Sequence, residues 1–254
     1  MLETLRHESI LELRLARPPV NALDPVLVKQ LRTAIESAPA LGARGIVLSG
    51  RPGMYSAGLD VPVLLPMDRA SLRTFLGDFF GLCGAIAASP IPIVAAITGH
   101  SPAGGAVLSI FCDYRVMAKS PDPAKPFRIG LNEVQVGLSI PAGIQAGMQR
   151  LVGPYRAERL MVAGAMLDSD AALEVGFVDE VIAVDRVVPR AIEWLHELLR
   201  LPPQAMSTTR HLARRDLAEV FADPDKLLLD EFAEAWFGAE TQATLKALVA
   251  KLKK

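Results

Sequence analysis

Two short turns and one acid carry the chemistry that this sequence can perform. Ser56-Ala57-Gly58-Leu59-Asp60 and Pro102-Ala103-Gly104-Gly105 each follow an expected strand, and a single carboxylate, Glu133, lies downstream in Gly130-Leu131-Asn132-Glu133. In both turns a glycine flanked by small residues leaves backbone N–H groups uncovered. The N–H of Gly104 should also open a helix, where the macrodipole favours negative charge. Backbone donors aimed at a developing oxyanion contribute roughly 3–4 kcal/mol each. Such donors, together with one carboxylate to carry a proton, are what forming and holding an enolate requires. A lone glycine turn serves positive φ or close packing equally well, so it is the combination of two turns with an acid that points to a site. Neither turn matches a phosphate-binding pattern: no G-x-G-x-x-G follows the first strand, and there is no Gly-Lys-Ser/Thr. Nucleotide-dependent hydride or phosphoryl transfer therefore ranks low.

A glutamate on a polar loop is usually a solvated charge, but Ile129, Leu131, Val134, Val136, Leu138 and Ile140 surround Glu133 in the sequence. Desolvation in such a setting would raise its pKa toward that of a useful base. Asn132 reads as the residue that turns this loop. His100, beside the second turn, reads as a packed polar residue. His7, His196 and His211 have no metal-ligand spacing with one another, with cysteine or with carboxylates, so no metal site is expected. Asp60 and Asp113 are expected to hold local structure, through loop hydrogen bonds or by pairing with an arginine such as Arg115. Cys112, in an apolar helix end, reads as inert. Val63, Leu64, Leu65, Met67, Phe75 and Phe79 are candidates for the wall of an apolar pocket, with core packing equally expected for the later ones.

The elements that must position these residues alternate in type. Strand-like runs occur at Leu11–Leu15, Gly45–Ser49, Ile93–Thr98, Tyr114–Ala118 and Phe177–Val184, with helical patterns between most of them, which predicts an α/β core. The first helix has a clear start: Asp24 can cap, Pro25 suits the first helical position, and Leu27, Leu31 and Ile35 form an apolar stripe. Gly53 and Gly58 bracket a tight connection after the second strand, and Gly104-Gly105 open a helix running to about Cys112. Beyond roughly Val188 the pattern is helical, broken at Pro202-Pro203 and Asp223-Pro224. The expected division is a core over residues 1–190 and a helical region over 191–254. Leu227, Leu228, Leu229, Phe232, Trp236 and Phe237 in that region should pack on the core or on another subunit. The final stretch, Leu245–Lys254, alternates leucine and lysine and reads as a solvated helix face.

Bulk properties narrow the classes further. A chain of 254 residues that is 51% apolar can bury a large core, and a formal net charge of −1 gives no electrostatic case for nucleic acid or an anionic membrane. Cys83 and Cys112 make neither a disulfide framework nor a metal pair, which favours a reducing compartment. Leu11, Leu13 and Leu15 alternate with Glu12 and Arg14, as in a mature amphipathic strand rather than a signal peptide. Every apolar stretch is broken before it could span a bilayer. A cytoplasmic protein is expected.

Several stretches in order resemble the crotonase (enoyl-CoA hydratase/isomerase) superfamily over nearly the whole chain. They are Arg17-Pro18-Pro19-Val20-Asn21-Ala22-Leu23, Tyr55-Ser56-Ala57-Gly58-Leu59-Asp60, Pro92-Ile93-Val94-Ala95-Ala96-Ile97-Thr98-Gly99, Ser101-Pro102-Ala103-Gly104-Gly105, Phe111-Cys112-Asp113-Tyr114-Arg115-Val116 and Gly130-Leu131-Asn132-Glu133-Val134-Gln135-Val136-Gly137-Leu138. Within the superfamily this wording is most similar to the mitochondrial-type Δ3,Δ2-enoyl-CoA isomerases. The resemblance implies a spiral of β-β-α units followed by a helical region that drives assembly into a homotrimer or a dimer of trimers. It also implies an acyl-CoA substrate, with CoA as part of that substrate and no separate cofactor. The N–H groups of Leu59 and Gly104 would form the oxyanion hole. The substrate- and CoA-binding set would comprise Ser56, Ala57, Gly58, Asp60, Arg17 and Ala22, with the Ala57 carbonyl accepting from the adenine amino group. Relatives often meet the CoA phosphates with a lysine shortly after the first turn. Here Pro62 stands in that region and no lysine is near, leaving Arg17 or a C-terminal lysine for the task.

Hydratases of the family normally carry two glutamates, and register places Val107 at the first position and Glu133 at the second. Moving a double bond needs one acid–base group, whereas adding water is easiest with two. The resemblance therefore implies a Δ3,Δ2-enoyl-CoA isomerase with Glu133 as its catalytic residue, in the breakdown of unsaturated fatty acids. The alternatives are a hydratase or other acyl-CoA enzyme working with one glutamate, and a crotonase-fold binding protein without catalysis.

Overall fold

The computed structural model describes residues 1–222, Leu227 and residues 229–252. The Asp223-Pro224 break, Leu228 and the two terminal lysines lie outside the described residues.

Two sheets and the helices between them build the molecule. The larger sheet runs β1 (Leu2–His7), β2 (Ile10–Leu15), β3 (Gly45–Ser49), β5 (Ile93–Ile97), β7 (Tyr114–Lys119), β10 (Glu180–Ala183) in spatial order, where β4 (Gly53–Met54), β6 (Gly99–Pro102), β8 (Arg128–Gly130) and β9 (Leu167–Asp168) form the second. β1 pairs antiparallel with β2, and the remaining neighbours in the large sheet are parallel. Each strand of the large sheet from β3 to β7 is followed by one of the small sheet and then by helix. β3–β4 leads to α2 (Val61–Leu64) and α3 (Arg69–Ala87), β5–β6 to α4 (Gly104–Ile110), and β7–β8 to α5 (Ala142–Val152). This is the β-β-α spiral that the resemblance implied. The central strands β3 and β5 are buried at every residue, consistent with continuous apolar runs covered on both faces.

α1 (Pro25–Ser37) starts as expected. The Asp24 carboxylate accepts the Leu27 N–H at 2.8 Å, Pro25 is the first helical residue, and Leu27, Val28, Leu31 and Ile35 are buried. The expected strand Phe177–Val184 is shorter, because Phe177 and Val178 instead bury their side chains in the turn before β10. Sequence reading missed β1 and all four small-sheet strands. The latter are two to four residues long, too short for alternation to show.

After α6 (Pro154–Val162) and α7 (Ser169–Glu174), helices α8 (Val187–Leu199), α9 (Pro203–Ala213), α10 (Arg215–Ala222), α11 (Leu229–Trp236) and α12 (Ala239–Leu252) complete the chain. Val187, Ala191 and Leu195 of α8 pack against Val47, Val94 and Val116 of the large sheet. Phe232 and Trp236 of α11 and Leu245 of α12 join the main core. Ion pairs Arg69–Glu234 and Arg73–Asp230 tie α11 to α3, and the Arg69 guanidinium lies 4.7 Å from the Phe237 ring centre. No described helix is long and apolar enough to cross a membrane.

Asp113 does hold local structure, but Arg115 is not its partner. Its carboxylate pairs with Arg210 at 2.7 Å and Arg214 at 3.4 Å, and it accepts the Ile93 N–H at 2.8 Å. Arg115 pairs with Asp179 at 2.8 Å. Arg210 lies 97 positions from Asp113, so only the docking of α9 on the core could reveal the pairing.

Candidate active site

The first glycine turn is fixed by the loop that precedes α1. Asn21, buried and with φ of 52°, donates its side-chain amide to the carbonyls of Met54 and Tyr55 at 3.2 and 3.1 Å. Ser56 Oγ donates to the Asn21 carbonyl at 2.8 Å and accepts the Gly58 N–H at 3.2 Å. Leu23 then pairs with the turn: its N–H donates to the Gly58 carbonyl at 2.8 Å and its carbonyl accepts the Asp60 N–H at 3.1 Å. Bonding the residues on either side of Leu59 turns the Leu59 N–H the other way, and it donates to no backbone carbonyl among the described residues. Gly58 has φ of +85°, in the region where a side chain is strained.

The second turn presents a matching donor. Ala103 has φ 46° and ψ −120°, a conformation costly for a residue with a Cβ and of the kind that concentrates at functional sites. It is held by its own N–H to the Gly130 carbonyl at 2.8 Å. Gly104 begins α4, so its N–H has no acceptor within the helix. The two turns touch. A Cβ on Gly104 would lie 3.3 Å from the Leu59 nitrogen, and one on Gly105 would lie 2.7 Å from the Ser56 carbonyl oxygen. Gly105→Ala is thus expected to force the turns apart, lowering kcat/KM on the order of tenfold to a hundredfold in steady-state assays of thioester turnover.

A cavity of about 530 Å³ opens over these donors and is lined by Arg17, Ala22, Ala57, Leu59, Asp60, Gly104 and Glu133. Ser56 and Gly58 sit behind that wall and act on it through the bonds above. Arg17 spans Asp24 at 3.0 Å and Asp60 at 2.6 Å and donates to the Ala22 carbonyl at 3.2 Å, so its charge is matched within the protein. Asp60 also caps α2 through the Val63 N–H at 3.2 Å. A larger cleft, about 720 Å³ between α3 and α10, contains neither turn nor Glu133.

Glu133 starts a single 3-10 turn, Glu133–Val136, whose carbonyls and N–H groups close it without help from the carboxylate. Its Oε2 is shut off from solvent and has no hydrogen-bond partner among the described residues. Burial raises its pKa from 4.5 to about 7, with its own peptide N–H pulling the other way. Ile129, Leu131, Leu138 and Ile140 are buried, Val136 and Leu138 line the cavity beside Glu133, and Val134 is exposed. The Asn132 carbonyl accepts the Gln135 N–H at 3.0 Å, in keeping with a turn, yet its side chain also lines the cavity with Oδ1 unpartnered. Val107 lines the same cavity. His100 is a packed residue: its Nδ1 accepts the Arg128 N–H at 3.2 Å and its ring meets Phe127 edge-on. Burial pushes the Cys112 thiol up to about 12, which keeps it protonated.

Of the six suggested wall residues only Phe79 lines the cavity. Leu64 and Phe75 are buried in the core, Val63 is exposed, and Leu65 and Met67 pack on the core from outside. The apolar wall is instead assembled from Leu76, Phe80, Leu138, Ile144, Phe232, Trp236, Leu245 and Leu248. Five of these eight come from α11, α12 and the stretch just after Glu133. Their apolar character was visible, but nothing local says that α11 and α12 fold back over the turns.

Comparison with known proteins identifies the family of the whole chain. Residues 6–252 match the profile of the family described as enoyl-CoA hydratase/isomerase. The mouse protein named "Enoyl-CoA delta isomerase 1, mitochondrial" is 29% identical over 255 residues, covering 100% of this chain and 87% of that protein. A Mycobacterium tuberculosis protein named a probable enoyl-CoA hydratase is 34% identical over 203 residues, covering 78% of this chain and 74% of its own length. The crystal structure of human mitochondrial delta3-delta2-enoyl-CoA isomerase superposes with a TM-score of 0.92 at 26% identity, covering 99% of this chain and 98% of the other.

Proposed function

The chain belongs to the enoyl-CoA hydratase/isomerase family, and from that premise we propose that it is a Δ3,Δ2-enoyl-CoA isomerase acting on the CoA thioesters of unsaturated fatty acids. The observation that carries the proposal is the solitary state of Glu133. It is the cavity's one carboxylate without a paired cation among the described residues, its Oε2 has no hydrogen-bond partner there, and Val107 lines the same space.

The reaction follows from that arrangement. The thioester oxygen lies between the N–H groups of Leu59 and Gly104. Glu133 takes a proton from C2, and the C–H electron pair moves into the conjugated system as a dienolate whose charge rests on the thioester oxygen. The protonated Glu133 returns the proton to C4, the C2–C3 double bond forms, and the carboxylate is regenerated. Donors pre-set for the oxyanion lower the barrier because they need not reorganise as charge develops. A base titrating near 7 removes the proton far better than an exposed carboxylate and still gives it back. With Val107 in the wall and Asp60 paired to Arg17, the described residues of the cavity offer no second unpaired carboxylate to activate water, which disfavours hydration. CoA enters as part of the substrate. Assembly as a homotrimer or a pair of trimers belongs to the same proposal and is read by light scattering.

Side-by-side kinetics test the reading. Isomerisation of 3-hexenoyl-CoA is expected to exceed hydration of crotonyl-CoA by on the order of a hundredfold, the contribution of one acid–base group. Strong hydration with negligible isomerisation overturns it in favour of a one-glutamate hydratase. Because only the carboxylate form accepts the C2 proton, kcat/KM should rise with pH through a midpoint at about 7 and level off above it.

A further inference from the structure

The side chain that performs the chemistry is held by none of its neighbours. Glu133 Oε2 has no hydrogen-bond partner among the described residues, and the backbone group acting on the carboxylate is its own peptide N–H, so its position is set by the backbone turn that carries it. That turn is one short 3-10 segment, a conformation with poorer hydrogen-bond geometry than an α-helix. It closes with the Leu138 N–H donating to the Glu133 carbonyl at 3.1 Å and the Gly137 N–H to the Val134 carbonyl at 3.2 Å. What fixes Gly137 therefore fixes Glu133.

Gly137 is fixed from a distance of 104 residues. Thr241, buried in the first turn of α12, donates its hydroxyl to the Gly137 carbonyl at 2.7 Å. Gly137 has φ of +77°, and a Cβ there would lie 3.2 Å from both the Thr241 Cα and its Oγ1. The helix thus rests directly on the backbone of the catalytic turn. Leu245 and Leu248 follow Thr241 at spacings of four and seven, on the same face of α12, and both line the acyl cavity. On its outer side the turn is held by Gln135, whose side-chain amide donates to the Gly164 carbonyl at 2.8 Å.

We propose that Thr241 is a positioning residue for the reaction, its hydroxyl clamping the Gly137 carbonyl so that the Glu133 carboxylate stays aligned over the reacting carbons. One acid must serve C2 and then C4 from a single mounting. A displacement near 1 Å at such a group costs on the order of a hundredfold in rate. Through α12 the clamp also ties the acid's alignment to the seating of an acyl chain against Leu245 and Leu248. This inference rests on the isomerase reading for its kinetic arm only.

Thr241→Val keeps the shape and removes the donor. It is expected to lower kcat for 3-hexenoyl-CoA isomerisation about tenfold or more while changing KM no more than about twofold, because the loss falls on alignment rather than on ground-state binding. Thr241→Ser should restore kcat to near the wild-type value. Independently of any reaction, carbon-13 titration of the Glu133 carboxyl, assigned by its loss in Glu133→Gln, should give a lower midpoint in Thr241→Val, since a loosened turn admits water. The cavity's other charged groups, Arg17 and Asp60, pair with each other and lie outside the clamp. Should Thr241→Val fail to fold, Thr241→Cys, a weak donor of similar size, should show an intermediate loss of kcat. Wild-type kcat and an unmoved carboxyl titration in the Val or Cys variant would overturn the proposal. A Ser variant as impaired as Val would assign the effect to packing of the methyl group and overturn it equally. A wild-type protein without isomerase activity removes the kinetic arm and leaves the titration to decide.

Discussion

Glu133→Gln is expected to lower isomerase turnover by about a thousandfold or more, since one group both removes and returns the proton and each role contributes on the order of 10²–10⁴. Glutamine matches the shape and loses the charge, so acyl-CoA affinity should stay nearly intact, as read by calorimetry. Activity at the wild-type level would take Glu133 out of the mechanism. The same substitution should change stability, in a direction fixed by linkage. Glu133 titrates at about 7 in the folded protein but at 4.5 without burial. Its contribution is therefore best below pH 4.5 and is lost as pH rises through 7, where the folded chain must bury a charge that the unfolded chain hydrates. A shift of that size corresponds to up to about 3 kcal/mol. At pH 8 Glu133→Gln should be the more stable protein in urea unfolding, with the difference vanishing toward pH 4. A wild-type protein more stable than the variant at pH 8 would contradict the burial argument.

Trp236→Ala is expected to cost about 3–5 kcal/mol of stability, the usual range for removing a buried indole and leaving a cavity. Trp236 is fully buried in α11 and lines the acyl space, with its Nε1 unpartnered among the described residues. Trp236→Phe deletes that orphan donor with less loss of volume and should stay within about 1.5 kcal/mol of wild type. In the alanine variant the added space should favour longer chains. A buried methylene contributes about 0.8 kcal/mol, so each extra carbon accommodated should raise kcat/KM roughly fourfold relative to the hexenoyl substrate. An unchanged chain-length profile would show that α11 does not bound the acyl space.

The stable yet costly placement of Glu133 explains why the acid had to be found by context rather than by type. Nothing distinguishes it from the chain's other carboxylates except the apolar residues spaced around it and the turns upstream. Those were legible because each is a local property. A capped helix start at Asp24-Pro25, the buried runs of β3 and β5, and a helix opening at Gly104 depend on neighbours in the chain. The pairing of the two turns also followed from order along the sequence, once the family resemblance supplied the arrangement.

Other features needed the folded chain. The small sheet is made of strands too short for periodicity to register, yet β6 sets Ala103 against Gly130 and so aims the second donor. Asp113 takes its arginines from α9, Arg17 is neutralised by Asp24 and Asp60, and Thr241 reaches Gly137 across 104 residues. The acyl wall comes largely from helices whose apolar faces could have docked anywhere that buried them. By itself the sequence determined which residues can accept a proton, leave an N–H bare or start a helix, because these follow from side-chain chemistry and adjacent backbone. Which apolar surfaces meet, and which charges are matched on burial, tertiary structure alone decided, since hydrophobic attraction is non-directional and is resolved only by shape.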